Sequence, residues 1–470
     1  MSITVERLTA PAGPRVSWAP LLVVLTGSFM TFLDFFIVNV AIPKTQADLH
    51  ASAAAVQFIV AGYGLALASG MILGGRLGDL CGRRRMFALG LALFTLASAA
   101  CGLAPSAGAL VASRVVQGAA AALLTPQVLA ILSTVYTGTH RARAFGAYGL
   151  SMGLAAVFGQ LVGGVLIQAD IAGSGWRSIY LINVPIGVVT LFLIPRTVPE
   201  TRNGGRARLD PAGTALISAA LIAVVLPLIE GRERGWPMWT WISLVAAPIL
   251  LAGFVAHQRA RAAAGRDPLI DLGLFRERAF SAGLLCSLAF SMVLGSFFLI
   301  LAIYLQDGRG FSALDSGLTF SCVGAGYFAA MFTARGLAER LGRQVLAVGA
   351  VITAAGYGIL AETVDQIGTG GSVLWLAPGL AVVGFGIGVV LVPLSETVLR
   401  GIRPEAAASA SGVLATSQQL GGALGVAVIG VVFYAALDRG FAHAFSTGLV
   451  VLGAVALTTA AVVQFLPARR

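Results

Sequence analysis

Long runs of apolar residues, broken by short polar and basic segments, recur along the whole chain. A helix that crosses a bilayer needs about 20 mostly apolar residues. On that measure the pattern predicts helices near 18–42, 54–74, 86–104, 107–132, 143–168 and 178–195. Two more follow near 213–229 and 238–256, then six near 281–304, 313–334, 345–361, 373–394, 407–435 and 446–466. The result is an all-α integral membrane protein with fourteen crossings. Pro227 shortens the first of the two central helices, and Trp236, Pro237, Trp239 and Trp241 crowd the start of the second. Tryptophans so placed suit a membrane–water interface. The first run, Trp18 to Ile42, is too long for a signal-peptide core and has no cleavage-like ending, so it reads as a spanning helix.

Composition agrees with the pattern. Of 470 residues, 57% are hydrophobic and 11% charged, where soluble domains run at about 45–50% and about a quarter. Lipid must therefore act as solvent for much of the surface. The net charge of +11 does not point to nucleic acid, because the basic residues are grouped in short loops between apolar runs. If the N-terminus is cytoplasmic, 24 Arg fall in cytoplasmic segments. Lys44, Arg177, Arg232, Arg234, Arg309 and Arg439 fall outside, and Arg114 falls within a helix. The positive-inside rule then puts both termini in the cytoplasm.

A 260-residue shift aligns two halves of the chain. The loop after the second predicted helix, Gly75 to Arg85, has a degenerate copy at Gly336 to Arg343; Asp79 meets Glu339, Gly82 meets Gly342 and Arg83 meets Arg343. The same shift carries predicted helices 1–5 onto 9–13, while helix 6 falls slightly out of step. The expected organisation is an N-terminal tail (1–17), a six-helix half (18–195), a two-helix insert with linkers (196–280), a second six-helix half (281–466) and a short tail (467–470). Paired repeats around a midplane cavity are typical of secondary transporters.

Several segments resemble one family. Gly75–Arg85 is similar to the signature between helices 2 and 3 of the major facilitator superfamily. Leu33-Asp34 through Asn39, Ala41 and Pro43 resembles the helix-1 motif of its fourteen-helix drug:proton antiporters. Arg114-Val-Val-Gln117-Gly118 resembles the family's helix-4 motif, and Trp176 through Asn183, Pro185 and Gly187 its helix 6. Ser417 through Gly421, Gly422 and Gly425 matches in helix 13. The resemblance implies a major facilitator fold and proton-coupled export of drugs, antibiotics or similar compounds, with helices 1 and 4 lining the central cavity. Two positions depart from it. Gln160 stands where the helix-5 motif, here Gly159, Gly163 and Gly164, carries a bend-forming proline, and Phe36 stands where a threonine is common.

Asp34 and Arg114 are the two charges deep in predicted helices. Counted from the outer helix ends, they lie about 12 Å and about 10 Å down at 1.5 Å per residue. Burial disfavours each charge and proximity favours both, so the pair is a candidate for proton coupling; a static pair that fixes packing is the alternative. Gly75, Asp79, Gly82, Arg83 and Arg84, with the copy at Glu339 and Arg343, are expected to form a cytoplasmic gate. There Gly75 and Gly82 would permit close approach and a tight turn. Phe36, Asn39, Tyr63 and Gln117 are candidate cavity residues, and Gly159, Gln160, Gly163 and Gly164 a helix interface.

Other chemistry lacks its residues. The only lysine, Lys44, follows Pro43, so no phosphate loop of an ATP-driven pump exists. His50, His140, His257 and His443 sit singly, and Cys81, Cys101, Cys286 and Cys322 form no CxxC. Neither a metal site, a cofactor site nor an enzyme's constellation is expected. The expected partners are protons, lipid and an amphipathic organic compound, with a cation among the candidates, and no nucleic acid. The expected setting is a bacterial cytoplasmic membrane, as a monomer. A metabolite importer or exporter of the same fold is the alternative.

Overall fold

The computed structural model describes residues 17–201, 210–266, 268–399 and 407–467; most of both expected tails and part of the linker after residue 201 lie outside them. The helices are α1 (Ala19–Leu49), α2 (Ala53–Cys81), α3 (Arg83–Gly102), α4 (Ala107–Val135), α5 (Gly138–Ala169) and α6 (Gly175–Thr197). After them come α7 (Pro211–Glu233) and α8 (Met238–Ala263). The last six are α9 (Arg278–Gly308), α10 (Ala313–Leu341), α11 (Gln344–Ile367), α12 (Val373–Leu399), α13 (Ala407–Ala436) and α14 (Phe441–Val463). Among the described residues, thirteen helices are long and apolar enough to span a bilayer, and the bent α5 makes fourteen. Only helices can do this as separate segments, because each satisfies its own backbone polar groups where no water reaches.

Several helices outrun the apolar stretches that predict them. α1 continues past Pro43 to Leu49, α2 to Cys81 and α10 to Leu341. Backbone hydrogen bonding persists beyond the hydrocarbon, where polar side chains reach the interface. The repeated loops stop their helices in the same way. Gly82 (φ 103°) and Gly342 (φ 57°) both adopt positive φ, and their N–H groups donate to Gly78 O and Ala338 O at 3.0 Å. Glycine makes that turn without a Cβ penalty.

α1–α6 pack as one half and α9–α14 as the other, with α2 against α13 and α5 against α10 between them. α7 and α8 form a hairpin whose α7 lies against both α2 and α13. At the far end of α7, Glu233 accepts from Ala54 N at 2.6 Å, at the start of α2. Its neighbour Arg232 donates to Tyr434 O at 2.6 Å, near the end of α13. A carboxylate at a helix N-terminus and a cation at a C-terminus both complement the helix dipoles, so one turn of α7 ties the two halves together. At the hairpin's other end, Asp210 caps α7. Burial would raise its carboxyl, but hydrogen bonds from His257, Gly213 N and Gln258, and the Arg261 charge, outweigh that and hold it below the usual range.

The packing between halves loosens along the bundle. On the α5–α10 seam, a Cβ built on Gly164 would lie 2.6 Å from Ala313 O, one on Gly317 2.8 Å from Gln160 O, and one on Gly153 3.2 Å from the Tyr327 ring; Gly149 and Gly146 have nothing within 4 Å. On the α2–α13 seam, a Cβ on Gly430 overlaps Gln57, whereas Gly64 and Gly412 would keep 3.6 Å and 4.0 Å from their neighbours. Both seams are thus closed at the end where α1 stops and looser toward the basic loops. Gln306, on the final π turn of α9, adds a tie at the closed end by donating to Val40 O at 2.8 Å.

Small residues set these distances, so their replacement is predictable. Gly164→Val is expected to destabilise the protein by about 1–3 kcal/mol through overpacking. Gly358→Ala, where the added methyl meets nothing within 4 Å, is expected to leave stability unchanged or raise it by up to about 1 kcal/mol. Thermal unfolding in detergent compares the two.

A buried ion-pair cluster as the candidate functional site

On α1, Asp34 faces α4 and α6, and Phe36, two residues on, packs against Gly159 of α5. Asp34 and Arg114 are completely buried, and Arg114 Nη1 donates to Asp34 Oδ2. Four helices besides α1 complete the site. Gln117 Nε2 of α4 and Asn183 Nδ2 of α6 donate to Asp34 Oδ1 at 2.9 and 3.1 Å. Arg114 also donates from Nη1 to Gln117 Oε1 at 2.8 Å and from Nε to Ile59 O of α2 at 2.9 Å. The Tyr63 ring lies 4.3 Å from Arg114 Cζ and the Tyr180 ring 5.8 Å, in reach of cation–π attraction. Cys101 Sγ and Ser98 Oγ of α3 reach Gln117 Oε1 and Asn183 Nδ2.

Tyr63 and Gln117, expected on a cavity wall, are therefore parts of this cluster and fully buried. The physical reason is local. A guanidinium without water has five N–H donors to satisfy, and an aromatic face and an amide oxygen are the groups within reach. Asn39 donates to Phe36 O of its own helix at 3.1 Å, and Gln160 donates to that same carbonyl at 2.7 Å. The Phe36 ring crosses to the other half, 5.5 Å from Phe298. Gln160 thus joins α5 to α1, and Gly159 and Gly163 bring the two helices close. Loss of the proline does not straighten α5. The helix bends by 45° between Gly138–Ala155 and Phe158–Ala169.

The basic loop is a second, separate network. Arg83 donates to Asp79 at 3.0 Å and to Thr134 Oγ1 of α4 at 2.6 Å. Glu200, just beyond α6, accepts from Arg84 N at 3.1 Å, and its carboxylate lies 3.8 and 3.7 Å from Arg84 and Arg85 Nε. A Cβ on Gly82 would meet that carboxylate at 2.6 Å, whereas one on Gly75 would keep 3.6 Å from Pro126. The close approach expected of Gly75 belongs to Gly74 and Gly78, which press on Ala122 and Gln127 of α4. Glu339 is exposed on the last turn of α10 and Arg343 opens α11. Sequence reasoning missed Glu200, Thr134 and Ser98. A lone acid just after an apolar helix, opposite an arginine run, was the available signal for Glu200. Asn183 stood inside a recognised motif without a role.

The profile of the Major Facilitator Superfamily matches residues 24–426. The chain belongs to the Major Facilitator Superfamily. It is a transporter, not an enzyme. It is similar to a probable actinorhodin transporter of Streptomyces coelicolor, 40% identical over 89% of this chain and 73% of that protein. It also resembles a puromycin resistance protein of Streptomyces alboniger (34%; 92% and 84% covered) and a cephamycin export protein of Amycolatopsis lactamdurans (35%; 87% and 83% covered). A solved auto-inhibited peptide transporter of the POT family shares the fold with a TM-score of 0.70, at 15% identity over 95% of this chain and 96% of that one.

Breaking a buried ion pair from one side leaves an uncompensated charge. Arg114→Ala is expected to cost about 3–5 kcal/mol, and the double variant Asp34→Asn/Arg114→Gln appreciably less. Chemical or thermal unfolding of the three purified proteins reads the difference.

Proposed function

We propose that this superfamily member exports an amphipathic organic compound, antibiotic-like and in one class cationic, from a bacterial cytoplasm in exchange for protons. The observation that carries the reading is the sealed Asp34–Arg114 pair with its amide donors, because an ionisable pair at membrane depth is expensive to keep without a use. Relatives whose names speak of antibiotic transport, export and resistance support the cargo class.

In this reading both termini and the basic loops face the cytoplasm in the cytoplasmic membrane, following the positive-inside rule. The closed seam end then faces outward, and the loosened end is where cargo enters from the cytoplasm. Residues 18–195 and 281–466 rock against each other as a monomer, with 196–280 carried at their side. Opening outward exposes Asp34 to a proton and separates it from Arg114; return to the present state restores the pair and releases the proton inside. Each proton that moves inward down 100 mV contributes about 2.3 kcal/mol. Asp79, Arg83, Arg84 and Glu200, already joined within the first half, form the cytoplasmic face that closes against the second half in the outward-open state.

Inside-out vesicles with an acid interior test this with a panel of fluorescent cations. Wild-type protein is expected to accumulate a subset of them only while the gradient lasts. Asp34→Asn is expected to lower that accumulation at least about tenfold, the size of one lost coupling interaction of roughly 1.4 kcal/mol. Undiminished accumulation in a folded Asp34→Asn protein would move coupling to another residue. No accumulation of any compound would overturn export.

A further inference from the structure

Asn183 occupies an unusual place in the cluster. It is 1% exposed and begins the second segment of α6, after a turn at Ile182. Both N–H groups of its carboxamide are used, one on Asp34 Oδ1 at 3.1 Å and one on Ser98 Oγ at 3.0 Å. Ser98 has a single proton and donates it to Tyr180 O at 2.9 Å, so its oxygen can only accept from Asn183. That hydroxyl therefore orients the amide with its nitrogen toward Asp34. The other end, Asn183 Oδ1, is buried and has no partner.

This arrangement serves a carboxylate. Once Asp34 binds a proton, the new O–H needs an acceptor. Gln117 Oε1 is occupied by Arg114 Nη1 and Cys101 Sγ. Turning the Asn183 amide by half a rotation puts Oδ1 where Nδ2 stood. It then accepts from the Asp34 O–H, and from Ser98 once that hydroxyl swings off Tyr180 O. The flip trades two bonds from the Asn183 nitrogen for two to its oxygen and gives up the Ser98 bond to Tyr180 O, so it is favoured only while Asp34 carries the proton.

We propose that Asn183 is the positioning residue that serves both protonation states of Asp34, presenting its nitrogen to the carboxylate of the closed five-helix site and its oxygen to the acid. The inference rests on the reading of Asp34 as the coupling carboxylate. The titratable groups around Asp34 among the described residues are Arg114 from α4, Tyr63 from α2, Cys101 from α3 and Tyr180 from α6. From the other helices packed on α1, α5 contributes Gln160 and α9 contributes Phe298. Asn183 is thus the one amide touching Asp34 whose oxygen is idle.

Infrared difference spectra of the full-length protein in lipid, taken across pH, read the Asp34 acid carbonyl directly; its band is assigned by its loss in Asp34→Asn. In Asn183→Val the acid lacks its acceptor. Its band is expected at higher wavenumber and its pH midpoint displaced from the wild-type midpoint by about one unit or more. Asn183→Ser, whose hydroxyl both donates and accepts, is expected to restore the wild-type band, and serves as the comparison with Ser98→Ala if the valine variant does not fold. Ser98→Ala removes the lock on the amide and is expected to move the midpoint while keeping the band position. An unchanged band and midpoint in Asn183→Val, or an unmoved midpoint in Ser98→Ala where the valine variant does not fold, would overturn the proposal. An Asp34 band that never titrates in the wild type would overturn the coupling reading itself, and this inference with it.

Discussion

A charge in hydrocarbon must find every one of its partners within the protein, and this chain places two charges there. Asp34 and Arg114 neutralise each other, but neutrality is not enough; each N–H and each lone pair also needs a hydrogen bond. Gln117, Asn183 and the Ile59 carbonyl meet most of those needs, and Arg114 Nη2, which has no hydrogen-bond partner among the described residues, belongs to a guanidinium under the Tyr63 face. Because they come from α1, α2, α4 and α6, with Ser98 and Cys101 of α3 behind them, one ion pair fixes the mutual positions of five helices. The first half of the protein is built around that point.

The contacts between halves have a different character. They are made of small residues and backbone: Gly164 on Ala313, Gly317 on Gln160, Gly430 on Gln57. Without a hydrophobic drive between helices in lipid, close van der Waals approach is what holds such a seam, and few hydrogen bonds have to break when it slides. The far end carries the exceptions. Gln306 on Val40 O, and the Arg232–Glu233 turn of α7 against α13 and α2, give directional ties where the seam is tightest. The two-helix insert is thus tied to both halves at the closed end through α7, and its linker to α2 at the other end, where Arg76 donates to Pro268 O.

Much of the fold was legible because lipid imposes a coarse, local code. Apolar runs near 20 residues give the spans, and the two similar Gly-Arg loops both stop their helices at a positive-φ glycine, Gly82 and Gly342. Helix ends were less legible. α2 and α10 continue through polar residues up to those glycines, since hydrogen bonding, not hydropathy, decides where a helix stops. Gly75 and Gly74 differ in sequence by one position and in structure by which face meets α4. α5 bends by 45° between Ala155 and Phe158 with Gln160 in place of the motif's proline, since proline is one cause of a bend among several.

The sequence by itself determined that the chain spans a membrane, how many helices it uses, which two charges lie at depth, and which superfamily its motifs resemble. These follow from composition and from spacing along a helix, both local properties. Only the tertiary structure decided what surrounds those charges. That Tyr63 serves Arg114 rather than a cavity, that Gln117 and Asn183 donate to Asp34, and that Glu200 closes on the arginine loop all depend on facing between helices 51 to 149 residues apart in sequence. Helix rotation is set by the packing of neighbours, and no single segment carries that information.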